Sequence, residues 1–308
     1  MASTRTFVCA VVVVDLEFTK INLLMLRHVT TCKKLGVGLS EELTEEPLVE
    51  VSGVSVRFGS FLALDNLSLR VMPGEVYGLL GSNGAGKTTT IKVLMGLVVA
   101  SLGTVKVCGF DPLLQPVDVK SRIGYVAENS IVYESLSPRD FFEFVVSMRK
   151  IDRVSANRVV SRLADVFDLA QYFDSPIATL SMGLKQKVAL IAAFVHQPPV
   201  LLLDEPLNGL DAKSSRVVKD LMSLHVQRGG AVLFSTHIME IAEHLCTRIG
   251  IIDHGKVIAE GTLEQLRSKT DGKGSSLEEV FLKLTNDEAA VADRARMLRE
   301  AFFGNEGH

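Results

Sequence analysis

The sequence predicts an α/β fold in which a parallel sheet carries a phosphate loop, an antiparallel β part precedes it, and a helical part is inserted into it. Three observations predict this. Residues 75–91, EVYGLLGSNGAGKTTTI, run from a short apolar strand (Val76 to Leu80) through a glycine-rich turn into a helix. Two further apolar runs, Pro199–Asp204 and Ala231–Ser235, have the character of strands buried on both faces. Between them and the loop, the stretch from Phe141 to Phe173 shows helical spacing with no strand signal.

The loop fits G-x-x-x-x-G-K-[ST], with Gly81, Gly86, Lys87 and Thr88 in the fixed places. Its spacing has a chemical reason. Glycine permits backbone conformations closed to other residues, so successive N–H groups from Gly81, Ser82, Asn83, Gly84, Ala85 and Gly86 can curl around a phosphate. The following helix directs its positive N-terminal end at the same anion. Lys87 adds a mobile charge for β- and γ-phosphates, Thr88 a hydroxyl placed to ligate Mg²⁺, and Thr89 continues the helix N-terminus. Chance produces such a match in roughly one chain in a hundred of this length, and the flanking strand and helix make chance a poorer explanation. This is a nucleotide phosphate site.

From the N-terminus onward, residues 1–47 do not resemble the rest of the chain. Phe7–Val14 is apolar, but only Arg5 precedes it, Asp15 and Glu17 come directly after it, and no cleavage pattern is present. It reads as a short strand or a poorly packed extension, or else the true start is Met25. EELTEEP (41–47) is an acidic linker marking the boundary of the domain that begins at residue 48. From Leu48 the valine-rich run (Val49, Val51, Val54, Val56) is β, a turn lies at Gly59–Ser60, and Leu62–Met72 is a second strand. Phe58 sits in that turn, where an exposed aromatic can stack on a purine, although a half-buried strand-end Phe accounts for it equally well. After the helix from Thr88 to about Val98 come strands at Thr104–Cys108 and Ile123–Val126, the latter ending in Ala127–Glu128–Asn129. Ser137-Pro138-Arg139-Asp140 is a helix start with Ser as N-cap and Pro at the first position. It opens a helical subdomain over about 137–178.

Asp204 and Glu205 close the strand PVLLLD. In a fold with a phosphate loop, such an acid is placed to reach Mg²⁺ (Asp204), and its neighbour (Glu205) to polarise the attacking water. Residues 180–187 lead into an apolar helix, Val188–Val195; Ser181 is a good N-cap, and Gly183 permits close backbone approach. Ile249–Asp253 and Lys256–Ala259 flank His254–Gly255 as a hairpin, and a linker at 268–276 leads to amphipathic helices in a tail ending at residue 308.

Composition sets outer limits. With 308 residues, 47% of them hydrophobic, the chain can bury a large core. A net charge of −3 gives no basic field for nucleic acid. The four cysteines are scattered, without a C-x-x-C pair, which argues against zinc and against a disulfide framework. No apolar run approaches the ~18–20 residues needed to span a bilayer.

Six segments in one order carry a resemblance that covers about residues 48–266. They are Phe58, GSNGAGKTT, Glu128, LSMGLKQK (180–187), LLLDEP, and LNGLD (207–211) followed by His237. The stretch resembles the nucleotide-binding domain of ABC (ATP-binding cassette) transporters. LSMGLKQK, IIDHGKVIAEGTLEQL (251–266) and SSLEEVFLKLT (275–285) are similar to the subgroup serving ABC-2-type exporters, including drug-resistance and sodium-export systems.

The resemblance implies a P-loop NTPase core of ABC type, with an antiparallel β subdomain and an inserted α-helical subdomain. It implies ATP as ligand with Mg²⁺ as cofactor, and a head-to-tail pair of subunits, expected here as a homodimer. Phe58 would stack on adenine, while Ser181 and Gly183 would grasp the γ-phosphate bound by the other copy. Thr88, Asp204 and Glu128 would hold Mg²⁺. Glu205 would be the general base, His237 would contact the γ-phosphate and the water, and Lys87 would stabilise charge.

Two residues depart from the family pattern: Met182 replaces a glycine, and Glu128 replaces a glutamine that touches Mg²⁺. The implied function is an ATP-hydrolysing subunit driving a separate integral membrane permease, in export, from the cytoplasmic face of the cell membrane, with no nucleic-acid partner. The alternative is a soluble ABC ATPase acting on ribosomes or DNA; such proteins tend to carry two cassettes or a long coiled-coil insertion.

Overall fold

The valine-rich run after Leu48 forms an antiparallel sheet. β1 (Val49–Phe58) pairs with β2 (Phe61–Val71) across Gly59–Ser60 and, on its other edge, with β4 (Leu102–Val107), giving the order β2-β1-β4. Val49, Val51, Val54 and Val56 all face the core. Their spacing skips one residue because a bulge at Ser52–Gly53 shifts the register, with Gly53 in the left-handed region. A computed structural model describes residues 46–129, 132–270, 276–285 and 288–303, so most of the N-terminal extension, residues 271–275 and the last five residues lie outside the described residues.

The second sheet has the order β5-β6-β7-β3-β8-β9, formed by β3 (Val76–Leu80), β5 (Ile123–Val126), β6 (Val200–Asp204), β7 (Ala231–Thr236), β8 (Arg248–Asp253) and β9 (Lys256–Gly261). All neighbours pair in parallel except β8 and β9, which form the expected hairpin. Alternation of side chains explains why its central strands are apolar throughout. Leu201, Leu203, Val232 and Phe234 enter the core on the helical-subdomain side. Val200, Leu202, Ala231 and Leu233 enter the core shared with the antiparallel sheet. The parallel arrangement brings the C-terminal ends of β3, β6 and β7 together, which is where ligands bind in such sheets.

The phosphate loop leads from β3 into α1 (Lys87–Leu94), four residues shorter than the sequence suggests because Met95 and Gly96 close the helix. The short helix α2 (Pro116–Arg122), which the sequence pattern does not announce, precedes β5. In the inserted part, α3 (Pro138–Arg149) starts as expected, with the Ser137 hydroxyl accepting from Asp140 N–H. Helicity is not continuous to Phe173: Lys150, in the left-handed region, ends α3, and Asp152 caps α4 (Arg153–Val166). Phe141, Phe142, Val145, Val160 and Phe167 pack the two helices against α5 (Met182–Phe194).

Arg149 fastens α3 to the sheet. Its guanidinium donates to Lys120 O at 3.1 Å and lies 2.8 Å from His196 Nε2, which is 3.0 Å from Ile123 O. Burial, with Arg149 beside it, pulls His196 down to about 4.

After β6, α6 (Ala212–Gln227) and α7 (Met239–Leu245) flank β7. The tip of the β8–β9 hairpin staples the two sheets together: Gly255 N–H donates to Ala85 O at 2.9 Å, and Gly255 O accepts from Asp65 N–H at 3.0 Å. Beyond β9, α8 (Leu263–Ser268) and α9 (Leu277–Thr285) bury Leu266, Leu277 and Val280, whereas α10 (Glu288–Phe303) leaves Met297, Leu298 and Phe302 exposed. Among the described residues, no helix is long and apolar enough to cross a membrane.

Candidate functional site

At the C-terminal ends of β3 and β6 lies a cleft of about 300 Å³, lined by Ser82, Asn83, Gly84, Gly86, Lys87, Thr88, Thr89, Glu128, Asp204 and Glu205 among others. Its floor is the phosphate loop. Gly86 (φ 115) and Gly84 (φ 84) adopt backbone conformations that side chains resist, and this turns the loop back on itself before α1 begins. No side chain caps the N-terminus of α1, so its first N–H groups are available to an anion. Lys87 is only 7% exposed, and its ammonium donates to Gly81 O at 2.8 Å and to Ser82 O at 3.2 Å. Burial lowers its pKa, while the carboxylates of Glu205, Asp204 and Glu128 act in the opposite direction.

Three acidic residues therefore face one lysine. Asp204 ends β6 and is 1% exposed. Glu205 follows in the left-handed region (φ 46), and its Oε1 lies 3.9 Å from Lys87 Nζ and 2.8 Å from His237 Nδ1. A carboxylate only accepts, so the hydrogen of the His237–Glu205 contact belongs to Nδ1 and Nε2 is left for other partners. Glu128 reaches the cleft from the segment after β5. Thr88, Asp204 and Glu128 present hard oxygen atoms, the donor type Mg²⁺ takes. Among the described residues, no group of three or more His, Cys, Asp and Glu is arranged to hold a metal alone. Mg²⁺ does not need one, since it binds through one or two carboxylates and completes its shell with phosphates and water.

Other expected residues lie elsewhere. Phe61, not Phe58, lines the cleft. Phe58 is the last residue of β1 rather than a turn residue, opposes Phe61 across Gly59–Ser60, and is 52% exposed. Gly81 and Ala85 shape the loop from behind, Gly81 through its carbonyl to Lys87 and Ala85 through its carbonyl to Gly255.

Ser181 and Gly183 are not brought to this cleft. Ser181 caps α5, its hydroxyl accepting from Leu184 N–H. Gly183 packs on its own chain: a Cβ there would lie 2.5 Å from Gly209 O, and one on Gly209 would lie 2.6 Å from Met182 Cε. Two α5 side chains tighten this contact. Gln186 donates to Pro206 O at 3.1 Å, and Lys187 donates to Phe167 O at 3.0 Å and pairs with Asp211 at 3.4 Å. Sequence reasoning misses Gln186, Lys187 and also Ser235, whose partners are far away in the chain.

A second depression, of about 450 Å³, lies between β2 and β9. Its lysines are engaged: Lys256 pairs with Asp65 at 2.9 Å, and Lys269 donates to Glu260 O at 3.2 Å.

Known proteins are similar to this chain in sequence and in fold. Residues 64–208 match the family described as ABC transporter. Daunorubicin resistance ATP-binding protein DrrA3 of Streptomyces coeruleorubidus is 36% identical over 73% of this chain and 71% of its own length. ABC transporter ATP-binding protein NatA of Bacillus subtilis (strain 168) is 34% identical over 66% of this chain and 83% of its own. Probable multidrug ABC transporter ATP-binding protein YbhF of Escherichia coli (strain K12) is 32% identical over 79% of this chain, which spans only 42% of that longer relative. A solved structure, an ATP-binding subunit of an ABC transporter, superposes with a TM-score of 0.75 at 32% identity, covering 77% of this chain and 99% of that one.

Proposed function

Because this chain belongs to the ABC transporter family, we propose that it is an ATPase subunit powering a separately encoded membrane permease, in export. The observation that carries the reading is the meeting of Lys87, Glu128, Asp204 and Glu205 in one cleft at a helix N-terminus that no side chain caps. The loop and Lys87 bind and orient the phosphates of ATP. Thr88, Asp204 and Glu128 would hold Mg²⁺, which would supply positive charge against the phosphates. Glu205, steadied by His237, takes the proton of the attacking water.

Phe61, exposed on the cleft lining, is the aromatic on which a base would stack, and Phe58 pairs with it across the turn. Ser181 and Gly183 do not line their own cleft, which supports a role toward the nucleotide of a second copy, in a head-to-tail homodimer. The permease would seat on exposed apolar residues of the helical part, where Tyr133 and Phe144 meet edge-to-face at 5.4 Å beside Met148. Such a complex would hold the chain at the cytoplasmic face of the membrane. Relatives named for daunorubicin resistance and for Nod factor export favour the export direction. The alternative, a soluble ATPase acting on ribosomes or DNA, is disfavoured by the net charge of −3.

The test has two parts. The purified chain should hydrolyse ATP only with a divalent cation, and pull-down from native membranes should bring an integral membrane protein with it. A chain that binds no nucleotide, or that is captured on ribosomes instead, would overturn the proposal.

A further inference from the structure

The end of β7 and the residue after it hold the end of β6 through two side chains, Ser235 and His237, neither of them in the cleft lining. Ser235 is fully buried and sits beside Asp204 in the parallel ladder. Its hydroxyl donates to Asp204 Oδ1. The same oxygen accepts the backbone N–H of Glu205 at 3.2 Å, a hydrogen shared with Ser235 O, also at 3.2 Å. Two residues further on, His237 holds the Glu205 carboxylate.

A hydroxyl has one hydrogen and two lone pairs, so its direction carries information. With Glu205 N–H pointing into the Ser235 oxygen, the hydroxyl hydrogen goes to Asp204. The bond is charge-assisted and lies where water does not compete. It also occupies Oδ1, leaving Oδ2 as the oxygen not engaged by Ser235. Glu205, meanwhile, holds a left-handed conformation that a residue with a side chain resists, so its N–H needs a fixed partner. Both demands converge on one buried oxygen between two central strands.

We propose that Ser235 is a positioning residue for metal binding: its hydroxyl fixes the orientation of the Asp204 side chain that would ligate a divalent cation, and anchors the turn that presents Glu205. The inference rests on the reading of the cleft as a Mg²⁺–ATP site. Groups that orient a ligating carboxylate typically change metal affinity by about 10–100-fold when removed, and that is the size expected here.

The test uses Ser235→Ala, which removes the hydroxyl, and Ser235→Cys, which keeps nearly the same volume with a poor donor. Each variant is checked for folding, then for affinity toward a non-hydrolysable ATP analogue in EDTA. Mn²⁺ is then titrated into the protein–analogue complex and followed by electron paramagnetic resonance. The expected result is analogue affinity in EDTA within about twofold of wild type, with Mn²⁺ affinity lower by about 10–100-fold.

A purely structural role would move both affinities together or neither, and either pattern overturns the inference. If only the cysteine variant folds, it decides alone. If neither folds, the hydroxyl serves the sheet and the assignment falls. A wild-type protein that binds no analogue at all would instead refute the reading of the cleft.

Discussion

Replacing Glu205 by Gln separates binding from hydrolysis more cleanly than any other single change in this chain. The substitution is nearly isosteric in a side chain only 5% exposed, and the backbone anchors of the turn at Ser235 are untouched. What changes is one charge. At 3.9 Å from Lys87, and with an effective dielectric constant near 20, the Glu205–Lys87 attraction is about 4 kcal/mol before desolvation. Its loss leaves Lys87 to the phosphates, and the repulsion between Glu205 and a γ-phosphate disappears with it. ATP-Mg²⁺ affinity is therefore expected to hold or rise.

Hydrolysis should fall by about 10²–10⁴-fold, the usual cost of a lost general base, or roughly 3–5 kcal/mol of barrier. Phosphate release under single-turnover conditions measures the rate, and light scattering measures assembly. ATP trapped between two copies acts as a ligand selective for the dimer, so the variant should be a monomer without nucleotide and a dimer with ATP-Mg²⁺. Wild-type turnover in the folded variant would remove Glu205 from the role of base. A variant that binds ATP yet stays monomeric at high concentration would remove the head-to-tail arrangement.

Three further substitutions probe the same structure. Glu128→Gln takes one of three carboxylates from around Lys87 and should keep ATPase activity within about tenfold of wild type; abolished turnover in the folded protein would mean that the carboxylate itself is required. Gly124→Ala would place a Cβ 2.3 Å from Ala193 O and 2.8 Å from Leu201 Cδ2, so urea denaturation should show a loss of about 1–3 kcal/mol or more. His196 has its pKa held near 4 in the folded chain against 6.5 when free. The unfolded state therefore binds more protons between those values, and stability falls as pH drops through that window. The gap corresponds to about 3 kcal/mol, which wild type should lose relative to His196→Gln between pH 7 and pH 4 in parallel denaturation series.

The parts of the site legible in the sequence are those whose chemistry demands residue types at short, fixed spacing. The loop from Gly81 to Thr89 needs glycines next to a lysine and a hydroxyl, and Asp204–Glu205 stands at the end of an unmistakably buried strand. Ser235 is equally close to the chemistry but is not legible. A serine near a strand end is ordinary, and only the β6–β7 register shows that it lies opposite an aspartate 31 positions earlier. The same applies to Arg149 and His196, whose contact joins the end of one helix to residues after another. Phe58 hides Phe61 in the sequence because the turn looks one residue longer than it is, and the pairing of Phe58 with Phe61 makes the two equivalent neighbours. The break in α3 at Lys150 rests on a left-handed lysine, a conformation that residue type does not announce.

The contact of Gly183 with Gly209 has a mechanical consequence. Most packed elements meet through side chains, which change rotamer and so take up small shifts like a soft joint. Here main chain meets main chain at a distance that leaves no room even for a methyl group. Gln186 and Lys187 brace the contact on either side. The first turn of α5 and the segment from Glu205 to Asp211 are thus splinted into one stiff piece. A methyl group added at Gly183 would force this main-chain contact apart, whereas one at Gly209 would meet only the mobile end of the Met182 side chain.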